Sequence, residues 1–324
     1  MNPATGSHGW MTVTVTAKVM EAEGICAFRL QAASTEMLPR FTAGAHIDVE
    51  VAPGLVRQYS LCNPSNQERG YEIAVLLAEP SRGGSAAMHA VTVGQQIRIS
   101  APRNNFGLIP GSGRAILVAG GVGITPILAM AEELHAQARP FELHFSTRSP
   151  ARAAFRQRLA HGPFAAHVRF YSDSEDQKID LADIARSRGP DDHLYVCGPT
   201  GFMDFVLGES ERLGWHKDQL HKEYFSAPAS AGEQDGEAFE VRIASTGEVF
   251  PIPADKSVVE VLARHGIEIP TSCEQGICGT CITGVLSGVI DHRDFVLSDA
   301  EKARHDQFTP CCSRAACRMI ELDL

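Results

Sequence analysis

The sequence predicts a multidomain protein in which an antiparallel β-barrel is followed by an α/β domain with a parallel sheet and then by a small α+β domain. Three observations lead to this expectation. Strand-like runs separated by Gly, Pro and Asn fill residues 11 to about 107, strands and helices alternate from 108 to about 225, and a cysteine-rich segment follows a small polar linker. A chain of 324 residues has the length of two or three domains.

The first domain reads as a series of short strands. Residues 11–19 alternate strictly between apolar and polar side chains, as a half-buried strand does. Turn residues separate the further runs, which favours a small antiparallel barrel. These runs are residues 25–30, 47–51, 56–61, 71–77 and 96–100.

A cation, a phenol and a hydroxyl occur together in one of these strands. Arg57 and Tyr59 share one face by the period of two, and Ser60 either points to the other side or lies at the end of the strand. A guanidinium can hold a phosphate through two hydrogen bonds, and a tyrosine ring can pack against a flavin. Taken alone, this pattern favours an ordinary edge-strand charge with a half-buried tyrosine.

A second segment of the barrel changes that interpretation. Arg82, Gly83, Gly84 and Ser85 precede a short helix predicted over residues 86–90. A glycine pair at the start of a helix presents free N–H groups, which suit an anion. Together the two segments predict a mononucleotide site.

The second domain opens with a candidate dinucleotide loop. Residues 115–119 are continuously apolar, as a buried parallel strand is, and lead into G-G-V-G-I-T-P with Gly121, Gly123, Thr125 and Pro126. Thr125 suits a helix N-cap and Pro126 the first helical position. The glycines allow a pyrophosphate to approach the backbone. The motif meets the usual dinucleotide fingerprint only in part, because proline stands in place of its last glycine.

Three later strands are predicted at residues 141–145, 168–171 and 193–196, and the last runs into Cys197, Gly198 and Pro199. The carboxyl ends of parallel strands lie together, and nucleotides bind there. Cys197 is therefore a candidate for the nicotinamide site. A plain buried strand cysteine remains the alternative.

The cysteine-rich segment has the ligand pattern of a plant-type [2Fe–2S] cluster. Cys273, Cys278 and Cys281 are spaced C-x4-C-x2-C, and a distant fourth ligand follows at Cys311 or its neighbour Cys312. We expect Cys311 to be the ligand because it gives the usual long spacing. A reduced, buried cysteine set and a zinc knuckle are the alternatives, but zinc usually needs paired short cysteine steps and only one is present.

The third domain is predicted from two capping boxes, Ser257 with Glu260 and Ser298 with Glu301, and from three strands. A linker of small and polar residues precedes it. The predicted boundaries are 1–107 for the barrel, 108–228 for the α/β domain, 229–236 for the linker and 237–324 for the last domain. The three strands are residues 239–244, 282–286 and 318–322.

Composition limits the function classes. The net charge of −10 argues against a nucleic-acid binder. From Gly236 onward there are fourteen acidic and eight basic residues, hence a net charge of −6, which serves either solubility or docking of a basic electron-transfer partner.

Nine cysteines, an odd number, make a disulfide framework unexpected. No apolar run has the length of a membrane span and the N-terminus does not resemble a signal peptide, so we expect no membrane association and a cytoplasmic location.

The order of these motifs resembles that of the phthalate dioxygenase reductase family, which includes vanillate demethylase reductases. The likeness covers nearly all of the chain after residue 10, and the stretches 291–294 and 311–314 share it. The resemblance implies a flavin-binding barrel, a ferredoxin-reductase-like nucleotide domain and a β-grasp ferredoxin domain. It implies FMN rather than FAD, together with NADH and a [2Fe–2S] cluster.

The resemblance also implies roles for residues. FMN contacts are expected from Arg57, Tyr59, Ser60, Gly83, Gly84 and Ser85. NADH contacts are expected from Gly121, Gly123, Thr125, Pro126, Gly198 and Pro199. The reacting centre would include Ser60, Cys197 and Phe225, the last as an aromatic ring over the flavin, although core packing before a linker is its simpler interpretation. An arginine at position 148 can accept a 2′-phosphate, so NADPH remains the alternative to NADH.

The implied function is the NADH-dependent reductase of a Rieske-type oxygenase, which passes electrons from NADH to FMN, to the cluster and then to the oxygenase. One alternative is a reductase for another acceptor, such as a cytochrome or a di-iron hydroxylase. Another is a redox sensor that uses the cluster as a switch and does not turn over NADH.

Overall fold

The computed structural model describes residues 9–34, 37–65, 70–79, 83–111, 113–226 and 236–324. The chain divides into two compact units, one ending at Glu223 and one beginning at Tyr224. Of the predicted features, Arg82 and nearly all of the linker lie outside the described residues. Within the described ranges, no helix combines the length and the apolar composition needed to cross a membrane.

The first unit begins with a six-stranded antiparallel sheet in the order β4-β3-β6-β1-β2-β5. A bridge between Leu61 and Ile73 joins the ends of the sheet and closes it into a barrel. The predicted strands are confirmed, and one short helix, α1 (Gly84–Ala90), packs on them. The strands are β1 (Met11–Ala22), β2 (Ile25–Ala32), β3 (His46–Ala52), β4 (Leu55–Ser60), β5 (Tyr71–Leu76) and β6 (Gln96–Ile99).

A parallel five-stranded sheet follows in the same unit, in the order β11-β10-β7-β8-β9. Its central strand β7 is buried along its whole length, which explains its unbroken apolar sequence. The strands are β7 (Ala115–Gly120), β8 (Phe141–Thr147), β9 (Val168–Ser172), β10 (His193–Cys197) and β11 (Leu220–Glu223). The helices are α2 (Ile124–Ala136), α3 (Arg156–His161), α4 (Leu181–Arg186) and α5 (Thr200–Arg212), with 3-10 turns at Gly121–Gly123, Pro150–Arg152, Ala165–His167, Asp173–Glu175 and Lys217–Gln219.

The barrel and the parallel sheet share one hydrophobic core. Ala43 and Phe106 from the barrel side are buried with Met130 of α2 in a single cluster. The backbone N–H of Ala43 also donates to the Glu133 carboxylate of α2 at 2.9 Å. A methyl group at Gly44 of the barrel would lie 3.1 Å from Cε of Met130 in α2. The barrel is therefore fixed against the nucleotide sheet, and the division at residues 107 and 108 stays a prediction.

The start of α2 differs from the sequence prediction. Thr125 is not the N-cap, because the chain makes a 3-10 turn at Gly121–Gly123 and the helix begins at Ile124 with Gly123 as its cap. Pro126 accordingly stands in the third helical position rather than the first, where its missing N–H still costs no helical hydrogen bond. The Thr125 hydroxyl donates back to the Val122 carbonyl at 3.1 Å and closes the turn.

The second unit is a mixed five-stranded sheet in the order β13-β12-β18-β14-β16 with a separate two-stranded ribbon, β15-β17. The parallel pairing of β12 with β18 at its centre is typical of a β-grasp domain. Both predicted capping boxes are present, at Ser257 and Ser298. The strands are β12 (Phe239–Ile243), β13 (Val249–Ile252), β14 (Thr283–Ser287), β15 (Ile290–Asp291), β16 (Gln307–Phe308), β17 (Arg314–Ala315) and β18 (Met319–Leu322), and the helices are α6 (Val258–Arg264) and α7 (Asp299–Lys302).

The close packing of Gly44 against the backbone of Phe106 can be tested with a glycine pair. Gly44 and Gly54 both have positive φ, at 89° and 73°, but a methyl group at Gly54 meets no atom within 4 Å. We expect Gly54→Ala to lower the free energy of unfolding by roughly 1 kcal/mol, for the backbone alone. Gly44→Ala should cost about 3 kcal/mol or more, since it adds a clash with fixed backbone.

Urea denaturation followed by far-UV circular dichroism measures both effects. Equal losses in the two variants would show that the close contact at Gly44 is absent.

Candidate functional site

Strand β4 carries the predicted flavin contacts. Arg57 pairs in register with Val49 and Tyr59 with Ile47, so the two side chains lie on one face as the period predicts. Burial raises the pKa of Tyr59 to about 12, so its phenol stays neutral. Ser60 ends the strand on the opposite face and is 5% exposed.

The structure brings Arg57 together with the glycine pair at the start of α1. A Cβ atom on Gly84 would lie 2.5 Å from Nε of Arg57, so only glycine allows the guanidinium stem to cross the first turn of the helix. Gly83 is the N-cap residue. The Ser85 hydroxyl accepts a hydrogen bond from the Ala78 N–H at 3.1 Å. The cation and the helix start thus form one surface, as a phosphate site requires.

The two loops predicted to bind the dinucleotide touch each other at the carboxyl edge of the parallel sheet. A methyl group at Gly123 would overlap the carbonyl oxygen of Cys197, and one at Gly198 would lie 3.0 Å from the Cα of Gly120. Gly121 differs from both, because a Cβ there would meet no atom within 4 Å. Gly123 and Gly198 therefore permit the loops to pack, whereas Gly121 leaves the backbone open to a ligand. Pro199 follows as the N-cap of α5.

Cys197 is fully buried at the end of β10. Burial raises the pKa of its thiol well above the ordinary value, so the sulfur is a neutral thiol. In register it lies between Ala119 of β7 and Glu223 of β11. The thiol therefore reaches the same edge of the sheet as the glycine loop.

Glu223 is a residue that the sequence analysis missed. It is the last residue of β11, and its Oε2 accepts a hydrogen bond from the Ser60 hydroxyl at 3.1 Å. Burial raises its pKa to about 8, so the carboxyl group is mostly protonated at neutral pH. The signal that could have found it is its position, since an acid that ends a parallel strand lies at the ligand-binding edge.

His46 completes this buried group. Its Nδ1 lies 3.8 Å from Oε1 of Glu223, and its Nε2 is buried without a hydrogen-bond partner among the described residues. Burial, with Arg103 nearby, lowers the pKa of His46 to about 4. Because the histidine and the carboxyl group are then both neutral at pH 7, the 3.8 Å contact is not a salt bridge. The edge of the sheet thus holds Ser60, Cys197, Glu223 and His46 as uncharged, water-poor groups.

Two further candidates lie elsewhere. Phe225 belongs to the second unit and is 41% exposed. Its predicted place over a flavin stays a prediction. Arg148 is exposed just beyond the carboxyl end of β8, and its contact with a ribose or 2′-phosphate stays a prediction.

The four predicted cluster cysteines form two pairs in the second unit. Cys273 shares a hydrogen bond with Cys278, and Cys311 shares one with Cys281 and another with its neighbour Cys312. Among the described residues no three His, Cys, Asp or Glu side chains converge on a single metal position. A [2Fe–2S] cluster does not require such a set, because each iron takes two thiolates from the protein. The observed pairing fits a two-iron cluster better than a single zinc ion.

Backbone N–H groups surround the sulfurs. Gln275 donates to Sγ of Cys273 at 3.3 Å, and Thr280 donates to Sγ of Cys278 at 3.4 Å. The hydrogen bond from Cys273, together with hydrogen bonds from Thr280, lowers the pKa of Cys278 to about 6. Such donors stabilise thiolate ligands and tune a bound cluster.

Cys312 has a different environment from Cys311. Its Sγ lies 3.3 Å from the Thr309 hydroxyl, and a methyl group at Gly276 would overlap it. Gly276 has a φ of 70°, so both its conformation and the sulfur require glycine. Cys312 therefore packs behind the loop that carries Cys273 and Cys278, while Cys311 contacts Cys281.

Comparisons with known proteins agree with this architecture. Residues 241–317 match the family model of the 2Fe-2S iron-sulfur cluster binding domain. The vanillate O-demethylase oxidoreductase of a Pseudomonas species is 50% identical over 315 residues, which cover 96% of this chain and 99% of that protein.

Two solved structures are also similar. Phthalate dioxygenase reductase, described as a modular structure for electron transfer from pyridine nucleotides to [2Fe–2S], has a TM-score of 0.72 and 37% identity over 98% of both chains. An intact type IV self-sufficient cytochrome P450 monooxygenase has a TM-score of 0.90 and 35% identity, and the match covers 97% of this chain but 41% of the larger one. The flavin barrel, the nucleotide sheet and the cysteine pairs follow one another along the chain. The chain belongs to the family of oxygenase reductases that includes vanillate O-demethylase oxidoreductase and phthalate dioxygenase reductase.

Proposed function

We propose that the protein is the NADH-dependent reductase of a Rieske-type terminal oxygenase, with FMN and a [2Fe–2S] cluster as its cofactors. The observation that carries this proposal is the convergence of Ser60, the Gly121–Gly123 turn and Cys197 at one edge of the parallel sheet. These residues would hold a flavin beside the nicotinamide, and the flavin would supply the conversion from a two-electron hydride donor to a one-electron cluster. The proposed cellular location of the protein is the cytoplasm.

The proposed FMN site uses the barrel. Arg57 and the first turn of α1, with Gly83, Gly84 and Ser85, would hold the phosphate, because a cation and helix N–H groups meet there. Tyr59 lies beside Arg57 on the same face and would pack against the flavin ring. Phe225 is proposed to cover the ring's other face.

The proposed NADH site uses the two glycine loops. Gly121 and Gly123 admit the pyrophosphate, and Thr125 and Pro126 shape the turn that presents them. Cys197, Gly198 and Pro199 would line the nicotinamide. A neutral, buried thiol suits this position, since it excludes water without adding charge.

Ser60 and Glu223 are proposed to hold a proton at the reacting centre. Glu223 keeps its proton to about pH 8, and the Ser60 hydroxyl connects it to the flavin side of the barrel. A flavin that accepts a hydride gains negative charge. A neutral carboxyl group next to it does not oppose that change, whereas a buried carboxylate does.

The proposed cluster ligands are Cys273, Cys278, Cys281 and Cys311. The proposed boundaries of the four segments are those predicted from the sequence.

The electron acceptor is proposed to be an oxygenase component. A cytochrome is the second candidate, because the similar self-sufficient monooxygenase carries a comparable module in one chain with a P450.

Steady-state turnover tests the function. The purified protein should oxidise NADH continuously with ferricyanide or cytochrome c, prefer NADH to NADPH, and release FMN on denaturation. Absorbance at the nicotinamide band and chromatography of the flavin measure these outcomes. A redox sensor would show no continuous NADH consumption, and released FAD would contradict the assignment of the flavin.

Adjacent cysteines provide a matched test of the ligand set. Cys311→Ser should abolish the stable cluster, because Cys311 is the partner of Cys281, whereas Cys312→Ser should keep it, because Cys312 contacts the hydroxyls of Thr309 and Ser313. Iron content and the visible absorption of the oxidised cluster measure the difference. The reverse pattern would make Cys312 the ligand.

The Glu223 carboxyl group predicts a specific pH dependence. The rate of flavin reduction by NADH should fall as the pH rises through about 8, where the carboxylate forms. Glu223→Gln should remove that inflection, while Glu211→Gln, at an exposed position, should keep it. Stopped-flow absorbance measures the rates. An inflection that persists in Glu223→Gln would remove this residue from the mechanism.

The same group should affect stability with a defined sign. Between the ordinary pKa of 4.5 and about 8, the folded protein keeps a proton that the unfolded chain releases. The free energy of unfolding of the wild type should therefore decrease as pH rises through this window, and the decrease should be smaller in Glu223→Gln.

A further inference from the structure

His46 belongs to the buried group at the edge of the parallel sheet, but the proposed function gives it no part in the reaction. It is the first residue of β3 and pairs in register with Ser60, the last residue of β4. Directly opposed residues of neighbouring antiparallel strands place their side chains on the same face of a sheet. The imidazole and the Ser60 hydroxyl therefore lie side by side, and both are directed at Glu223.

The carboxyl group of Glu223 has one of these side chains at each of its oxygens. Oε2 accepts from the Ser60 hydroxyl at 3.1 Å, and Oε1 lies 3.8 Å from Nδ1 of His46. That separation is about 1 Å longer than an ordinary hydrogen bond. Catalytic hydrogen bonds are often long in the absence of a ligand and shorten in the complex. A small rotation of the Glu223 side chain is enough to bring Oε1 into hydrogen-bonding distance of the ring.

The backbone holds both partners in place. The N–H of His46 donates to the Arg103 carbonyl at 2.8 Å, and its carbonyl accepts from the Arg103 N–H at 3.0 Å, on the side of β3 opposite to the Ser60 pairing. Glu223 is held by the pairing of β11 with β10, in register with Cys197. The side chain of His46 is 5% exposed. The two groups therefore meet in a prearranged position, as a functional contact requires.

The charges near the imidazole compensate each other. Arg103 pairs with one oxygen of Asp48 at 2.6 Å, and the amide of Gln58 donates to the other oxygen at 3.0 Å. A second buried cation beside Arg103 is opposed, which together with burial lowers the pKa of His46. On the Glu223 side the ring faces an uncharged carboxyl group. The imidazole therefore offers Glu223 a hydrogen-bonding nitrogen without adding a charge.

The order of the hydrogen bonds follows from the number of protons. The Ser60 hydroxyl has one proton and uses it on Oε2, so the proton of the neutral carboxyl group lies on Oε1. The atom opposite Oε1 is Nδ1 of His46, whereas Nε2 is buried without a hydrogen-bond partner among the described residues. The Ser60 oxygen keeps only its lone pairs for a ligand, so at this point the group favours a ligand N–H over a carbonyl oxygen.

We propose that His46 is a positioning residue for hydride transfer from NADH: a hydrogen bond between its Nδ1 and Oε1 of Glu223 holds the carboxyl group in the orientation that keeps Oε2 on Ser60. The inference rests on the proposed function, because it concerns the same flavin edge. It adds the contact that fixes the carboxyl group, since the last torsion of a Glu side chain has a broad range when only one oxygen is bonded.

Two variants of nearly equal shape test the proposal in the cofactor-loaded protein. Leu and Asn side chains branch at the same carbon, but only Asn places polar atoms near the position of Nδ1. His46→Leu should slow flavin reduction by saturating NADH about five- to tenfold, as expected for one lost hydrogen bond, and His46→Asn should restore the rate to within about twofold. Anaerobic stopped-flow absorbance measures the rates.

The pH profile and a control separate positioning from general damage. The decline of the rate above about pH 8 should persist in His46→Leu, because Glu223 is still present and buried. The Kd for NADH should not change in either variant. His161→Leu is the control, because His161 is an exposed histidine of the same unit, at the end of α3, and it should leave the rate unchanged.

Infrared difference spectroscopy gives a readout that does not depend on turnover. The C=O band of the Glu223 carboxyl group is the band that Glu223→Gln removes. In His46→Leu it should move to higher wavenumber, because the carboxyl O–H has lost its acceptor, and in His46→Asn it should return toward the wild-type position.

A wild-type rate together with an unshifted band in His46→Leu would overturn the proposal. Equal losses in His46→Leu and His46→Asn would also overturn it, since they would make His46 a packing residue alone. A protein that does not oxidise NADH would contradict the proposed function, and the infrared comparison would still decide whether His46 bonds to Glu223.

Discussion

The close approach of two backbone loops at the carboxyl edge of the parallel sheet is the constraint on which the first unit depends. Gly123 lies so close to the Cys197 carbonyl that a methyl group would overlap it, and a methyl group at Gly198 would be tightly packed against Gly120. This contact fixes the end of β10 beside the start of α2. It leaves Gly121 with open space, so the loop combines a rigid base with an accessible backbone. A nucleotide phosphate needs both properties.

The same edge is made uncharged by burial. Ser60 comes from the barrel, and Cys197 and Glu223 come from adjacent strands of the sheet. The shared core that includes Ala43, Phe106 and Met130 holds the barrel and the sheet together, so these side chains keep their positions. Desolvation then keeps the thiol and the carboxyl group neutral. A hydride acceptor bound here would meet no fixed negative charge at neutral pH.

The second unit brings the four predicted cluster cysteines close together. Backbone N–H groups from Gln275 and Thr280 approach two of the sulfurs, and the glycine at 276 lets Cys312 pack behind the loop. The thiol of Cys312 contacts the Thr309 hydroxyl, which distinguishes it from the neighbouring ligand candidate.

Local patterns made much of the fold predictable. Strict alternation identified β1, the continuous apolar run identified β7, and the Ser257 and Ser298 capping boxes form as expected, because each depends on residues close in sequence. Features that depend on packing were not predictable. Thr125 looked like an N-cap, but the 3-10 turn before it moved the helix start to Ile124. The only sequence signal of Glu223 is its position at the end of a strand, and its role depends on Ser60, a residue 163 positions away in sequence.

The central claim is that this chain converts a hydride pair into single electrons at a cluster in its second unit. An anaerobic titration with NADH, followed by visible absorption and electron paramagnetic resonance, tests that claim most directly. The account predicts that the flavin absorbance is lost and that the signal of a reduced [2Fe–2S] centre appears in the same titration. A flavin that is reduced while the resonance spectrum stays silent, or a protein that holds zinc in place of iron, would contradict it.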